Sequence, residues 1–364
     1  MQSPFDYLPR GDVTLIREGA VVRSWTGKTD AARGNRVAAA KDAALAGDLV
    51  VAGPGDFLIP AHESASVGID STGVHWAGMG RGVTRFYATD SIEIFTYRGT
   101  ATLRDLTIAA SDTDVAEPFL VRGTGDATLI NVELDASGAA VDKGALWIND
   151  STAAARCIGC KLAGKVTSYG ALDIFSCDIS EAKSALQTLN LQNGADVFIA
   201  ASRLTNAGTG NANLILFGTS GTIALDLLSC SLALSAGTGA LSAGGGFTGT
   251  YTLGAINCLA TVASASTGWQ SAANAMAVTV TGGKVSGSSA ANLKRTSGTL
   301  SVDGLSYDPT KTSGTITHTG RLPLFSLTAT EIGDLPAGHG LLEVYDSTNN
   351  MLKYWNGSAF AAVA

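Results

Sequence analysis

A spacing of three apolar residues, the second three positions after the first and the third two positions later, returns along the middle of the chain. It constrains the fold more than any other feature. In Ala101–Ile108 the residues are Leu103, Leu106 and Ile108. Further copies stand at Leu129/Val132/Leu134, Cys157/Cys160/Leu162, Ile174/Cys177/Ile179, Ile199/Ser202/Leu204, Leu227/Cys230/Leu232, Ala255/Cys258/Ala260, Val280/Gly283/Val285 and Val302/Leu305/Tyr307. Successive first positions lie 26, 28, 17, 25, 28, 28, 25 and 22 residues apart. Self-similarity at such a period marks a repeat architecture, in which each unit buries its apolar face only against its neighbours. Period-2 alternation, β-branched residues and Gly, Ser, Asn and Asp breaks make the units strands. A solenoid of strands is therefore expected.

The phases of the repeat sharpen this. Cys160, Cys177, Cys230 and Cys258 share the middle phase, and only Cys157 does not. In a parallel β-helix equal phases stack about 4.8 Å apart, so these thiols should form a buried column of small residues. The phase just before it reads Asp105, Asn131, Gly159, Ser176, Ala201, Ser229, Asn257, Gly282 and Gly304, all small or turn-forming. The phase just after it must face outward. There Glu133, Lys161, Asp178 and Arg203 alternate in sign from turn to turn.

Composition excludes several function classes. Only 15% of the 364 residues are charged, 45% are hydrophobic and 44 are glycine, too apolar and too strand-patterned for disorder. A formal net charge of −7 argues against nucleic acid and anionic membrane as partners. No apolar run reaches the ~18 residues of a membrane span, and residues 1–19 lack the pattern of a signal peptide. Five cysteines, most of them in one core phase, read as reduced residues of a protein made in a cytoplasm.

Residues 1–34 carry no repeat, apart from an isolated apolar run Val13–Ile16, and are expected to be either a docking arm or attachment segment or a disordered lead-in. Asn35–Gly47, NRVAAAKDAALAG, predicts an amphipathic helix with a Gly stop. A strand Asp48–Ala52, a turn Gly53–Gly55 and Phe57–Pro60 follow. This string, with GVHWAGMG at Gly73–Gly80 and the GVTRF after it, resembles the start of the pectate-lyase superfamily of right-handed β-helices. The resemblance implies that the helix caps the open end of the solenoid. It implies no particular activity, because that fold carries lyases, hydrolases and fibres.

The body, residues 35–320, is thus expected to be a single-stranded right-handed parallel β-helix of roughly eleven turns, ~50 Å long. Residues 321–364 read differently. Leu341–Tyr345, Met351–Trp355 and Ser358–Val363, with Asn356-Gly357 between the last two, predict a small β-meander too short to be stable alone. Glu331, Leu335, Pro336, Gly340, Tyr345, Asp346, Lys353, Tyr354, Asn356, Gly357 and Phe360 resemble the closing run of bacteriophage tail-fibre and tailspike-like virion proteins. That resemblance covers about 35 residues. It implies a homotrimer joined through the tail, with Tyr345, Tyr354, Trp355 and Phe360 at the contact, other virion proteins as partners, and location on the virion.

Catalytic readings are weaker. A glycosidase needs two carboxylates ~5 to 9 Å apart; the candidates are Asp142 and Asp150 in VDKGALWIND, with Glu133 and Asp135 one turn earlier. An exposed charge ladder accounts for Glu133 and Asp178 with no site at all. The Asp cluster and Arg base of a calcium-dependent polyuronate lyase are not visible around Arg81, Arg85, Arg98 and Arg104. The histidines His62, His75, His318 and His339 show no metal-ligand spacing, and no metal or cofactor is implied. The reading that remains is structural and adhesive, with a bacterial surface polysaccharide as ligand and Trp147, Tyr169 and Trp269 as candidate stacking faces. The alternatives are a tailspike depolymerase and a purely structural capsid or tail decoration.

Overall fold

The computed structural model describes residues 12–64, 67–89, 92–110, 118–139, 143–183, 186–218, 220–244, 248–263, 265–273, 275–287, 290–319, 325–335, 343–355 and 358–362. The fold is all-β, and its body is a parallel β-solenoid of about nine turns. The roughly eleven turns expected for residues 35–320 are an overcount: among the described residues the second sheet has ten strands and the third only eight, so the turns at the ends are incomplete. The chain divides into two compact units, Met1–Glu181 with Gly194–Val197, and Ala182–Asn193 with Phe198–Ala364.

The first unit begins with β1 (Val13–Arg17) and β2 (Ala20–Trp25). Glu18 and Gly19 between them have φ of 49° and 79°, the left-handed pair that a two-residue hairpin requires. Strand β1 also pairs antiparallel with β3 (Leu49–Ala52), the first solenoid strand of its sheet, and so covers that open edge. Helix α1 spans Asp30–Ala43, earlier at both ends than the Ala-rich run suggests. The Thr29 hydroxyl accepts the Ala32 N–H at 3.2 Å and fixes its start. Its chain leaves helical geometry at Ala44, three residues before the expected Gly47 stop. Val37, Ala38 and Ala40 are buried under it; the helix packs on β4 (Gly55–Leu58) and β5 (Val67–Thr72), the first strands of the other two sheets.

An ion pair ties hairpin, helix and solenoid together. Arg17 gives Asp48 three hydrogen bonds of 2.7 to 3.1 Å and reaches the Ala43 carbonyl at 3.3 Å. Asp48 also accepts the Leu45 N–H at 2.8 Å. The Arg17 guanidinium holds the Asp48 carboxyl below its usual range.

Each turn then follows one plan. A strand of the first sheet ends on an outward residue, one residue turns the chain, and a strand of the second sheet follows; a third strand completes the turn. The register matches the sequence phases. In the first unit Leu103, Leu129, Cys157 and Ile174 are neighbours across successive strands, as are Ile108, Leu134, Leu162 and Ile179. In the second unit the same holds for Leu227, Ala255, Val280 and Val302, and for Leu204, Leu232, Ala260 and Val285. All nine turn-phase residues, from Asp105 to Gly304, have φ between 49° and 62°. Asn and Asp tolerate this left-handed region and glycine adopts it freely. Asn131 adds a side-chain bond to Asp105 of the preceding turn at 2.8 Å.

The five cysteines are free and buried. Cys160, Cys230 and Cys258 donate S–H to the carbonyls of Leu129, Ile199 and Leu227, one turn back, at 3.4, 3.4 and 3.8 Å. A small side chain with a weak donor thus fills the corner where strand pairing pauses.

Ala201 is the one turn-phase residue that is neither glycine nor a polar turn former; its φ is 49°. The left-handed conformation costs a Cβ-bearing residue about 1–2 kcal/mol, whereas glycine costs about 0.5–1 kcal/mol in unfolded-state entropy. Ala201→Gly is therefore expected to raise stability by about 0.5–1 kcal/mol, read as a higher urea midpoint at unchanged slope.

The second unit carries the later turns and the tail. The tail is not a pure meander. Phe325–Leu327 runs parallel to Glu343–Asp346, which pairs antiparallel with Met351–Trp355 and that with Phe360–Ala362. A parallel pair needs a crossover, and helix α2 (Ala329–Gly333) lies within it, opened by a capping box between Thr328 and Glu331. Leu327 and Val344 form its small core, with Phe325, Ile332, Leu335 and Phe360 around them.

Candidate functional site

The residues singled out from sequence are dispersed. Glu133 and Asp135 lie on a strand of the second sheet, Trp147 on a strand of the third, and Asp150 in the turn that follows it. Asp142 falls outside the described residues. Glu133 is held by Lys161 at 2.6 Å and by the Thr107 hydroxyl at 3.3 Å, and this pairing raises the Lys161 pKa. Asp135 accepts the Ser137 N–H at 2.9 Å. Asp150 accepts the N–H and hydroxyl of Thr152 at 2.8 and 2.7 Å, which holds its carboxyl below the usual range. Asp308 with Thr310, and Asp346 with Thr348, repeat the same Asp-x-Thr turn. An acid that closes a turn two residues on has a structural task.

The aromatics divide likewise. Trp269 is 1% exposed and belongs to the core; its strand turns that side chain inward, so it offers no stacking face. Trp147 and Tyr169 are half-buried. The Trp147 indole Nε1 is buried and has no hydrogen-bond partner among the described residues. In the tail Trp355 packs on Phe360 with ring centroids 5.2 Å apart, Tyr345 bonds to the Asn350 side chain, and Tyr354 is 44% exposed.

What the fold does assemble is an open depression of about 110 Å³ on the outer face of the first sheet. It spans the adjacent strands Asp126–Ile130, Ala154–Ile158 and Ala171–Phe175. Asp126, Ala154 and Ala171 are neighbours across the strands, as are Thr128, Arg156 and Asp173. Two outward alanines beside these longer side chains leave the floor low. Arg156 donates to Asp173 Oδ2 through Nε and Nη2 at 3.3 and 3.0 Å. With Asp126 and the Thr128 hydroxyl, the depression presents a guanidinium, two carboxylates and a hydroxyl around a small apolar floor. That mixture suits hydroxyl-rich ligands. Asp126 and Asp173 belong to no motif of the sequence; the signal that marks them is alanine on an outward phase beside charge.

No protein-family model and no curated protein sequence matches the chain. Among solved structures, it is similar to tailspike protein 3 of bacteriophage CBA120, with 10% identity and a TM-score of 0.28 over 93% of this chain and 67% of that one. It is also similar to the A-module of the mannuronan C-5 epimerase AlgE4 of Azotobacter vinelandii, with 12% identity and a TM-score of 0.33 over 80% of this chain and 93% of that one. Both are β-helix proteins.

A second cluster lies at the capped end. Asp42, His62 and Glu63 bring ligand atoms within 4.8 Å of one another. Lys41 pairs with Glu63 and lies 3.9 Å from Asp42, while His62 Nε2 is 3.0 Å from Asp42. These contacts make the cluster a compensated surface network on α1 and the loop after β4.

Proposed function

We propose that the protein is a virion fibre whose solenoid flank binds a polysaccharide of the bacterial surface, with the Asp126–Asp173 depression as a saccharide subsite. The observation that carries this is the depression itself: a low alanine floor, ringed by Arg156, Asp173, Asp126 and Thr128. Hydroxyl pairs of a sugar ring match carboxylate acceptors and guanidinium donors. The resemblance of residues 331–360 to fibre closing segments supports the virion location and the homotrimer. Asp173 is engaged by Arg156, so the pair presents guanidinium donors and carboxylate acceptors side by side.

The test is incubation of the purified protein with capsule or lipopolysaccharide from candidate hosts, following both retention and the appearance of reducing ends or unsaturated products. Retention without product is the expected result. Arg156→Ala should weaken it on the order of tenfold, since a hydrogen bond to a charged group contributes about 1.5–3 kcal/mol. Retention unchanged in that variant would remove the depression from the reading. The depolymerase alternative draws on the presence of two acids, Asp126 and Asp173, in one depression. Product formation abolished by Asp126→Asn would establish it in place of adhesion.

A further inference from the structure

We infer that the depression on the first sheet seats the N-acyl group of an amino sugar, and so selects N-acylated hexosamines over acidic, neutral and free amino sugars. This rests on the polysaccharide-binding reading and names the sugar class for that site. The depression is one side chain deep. Ala154 and Ala171 continue, on the next two strands, the outward column to which Asp126 belongs. Asp196, exposed and bonded through its N–H to the Gly170 carbonyl at 3.4 Å, extends this column beyond Ala171. Two methyl groups are thus bracketed along the sheet by two carboxylates. A recess of this depth admits a ring substituent, not a ring.

Each part of an acylamino group has a counterpart here. Its methyl meets the Cβ atoms of Ala154 and Ala171 and removes apolar surface on both sides from water. Its N–H needs an acceptor, which the Asp126 carboxylate supplies at the edge of the floor. Its carbonyl needs a donor. Arg156 commits Nε and Nη2 to Asp173 Oδ2 at 3.3 and 3.0 Å, which leaves Nη1 for that carbonyl and Asp173 Oδ1 for a ring hydroxyl. Charge decides against the other sugars. The depression and the column beyond it hold Asp126, Asp173 and Asp196 against Arg156, so a uronate or a phosphorylated sugar would bring its anion into a negative field. A neutral hexose avoids that repulsion but leaves the alanine floor wet and Asp126 without its donor. A free amino sugar answers the carboxylates, yet it would press an ammonium onto two methyl groups, away from water.

The test is saturation-transfer NMR on the full chain, with the methyl glycosides of N-acetylglucosamine, N-acetylgalactosamine and N-acetylmannosamine beside those of glucosamine, glucose and glucuronic acid. At least one N-acetyl sugar should bind with its acetyl methyl as the most strongly saturated signal, and the sugars without that group should bind on the order of tenfold more weakly. Ala171→Leu, at an exposed position outside the core, fills the floor and should remove the acetyl signal. Retention of host polysaccharide by the same variant separates the two ideas. Retention that falls in Ala171→Leu, while glucosamine or glucuronic acid binds best to the native chain, overturns the acyl assignment and keeps the subsite. An acetyl signal that persists in Ala171→Leu, or that is absent although the polysaccharide is retained, also overturns the acyl assignment. Retention unchanged in both Ala171→Leu and Arg156→Ala overturns the subsite and the acyl assignment together.

Discussion

Phe95→Ala is expected to lower the stability of the first unit by about 3–5 kcal/mol, the cost of emptying a buried aromatic site that cannot collapse. Phe95 is fully buried and lies at the centre of the aromatic core. Trp76 meets it edge-on at 5.1 Å, Phe86 and Phe119 stack at 6.5 and 6.0 Å, and Tyr97 at 6.2 Å. These rings come from strands on different faces of the solenoid, so they hold the early turns together across the core. Two of them are also anchored by hydrogen bonds: Trp76 Nε1 to the Ser71 hydroxyl at 2.9 Å, and the Tyr97 hydroxyl to the Val74 carbonyl at 2.6 Å. Such anchors limit the inward movement that would fill the void, which favours the upper end of the range. Phe95→Leu keeps most of the volume and should cost under about 1.5 kcal/mol. Urea unfolding, with amide exchange on the strand Glu93–Arg98, measures both variants. A loss below about 1 kcal/mol for alanine would contradict a rigid aromatic core.

The legible part of the fold is the part governed by stacking. A parallel solenoid repeats the same environment every turn, so a phase that is inward once is inward always; hence Leu103, Leu129 and Cys157 align from the sequence alone. The turn phase was legible as small and polar, and its left-handed backbone explains why. The third strand of each turn was not. It is as short as Phe119–Val121 and Leu189–Leu191, and variable connections break its phase. The Val13–Trp25 hairpin was also hidden, although Glu18-Gly19 between two apolar runs is a usable signal. Alanines dominate the Asn35–Gly47 stretch and point to a later helix, while Thr29 and Asp30 set the start of α1.

The candidate site was less legible than the fold for a physical reason. Inward residues are dictated by packing, whereas an outward depression is a difference between neighbouring strands. Ala154 and Ala171 mean nothing alone; they matter because Asp126 stands beside them in register. Asp135 and Asp150 each accept the N–H two residues on, an engagement that the serine or threonine at that position announces in the sequence.

Gly34→Ala should be destabilising despite being a substitution toward a better helix former. Gly34 lies inside α1, where alanine would ordinarily contribute about 1 kcal/mol. A Cβ built there would sit 1.6 Å from the Leu58 carbonyl oxygen and 2.5 Å from its carbon. Both are backbone atoms of β4, the first strand of its sheet, and cannot rotate away. The helix must lift, and overpacking of this kind costs about 3 kcal/mol at its upper end. Steric cost exceeds propensity gain, for a net loss of about 2 kcal/mol. Lifting also withdraws Val37 and Ala40, both 0% exposed, from the end of the solenoid. The loss should therefore come with dye binding to newly exposed apolar surface and with aggregation through uncovered strand edges. Gly333→Ala, in α2, is the control, because its added Cβ meets nothing within 4 Å and should be neutral or slightly stabilising. If Gly34→Ala unfolds at the native urea midpoint without dye binding, the helix is not seated on β4 as a cap.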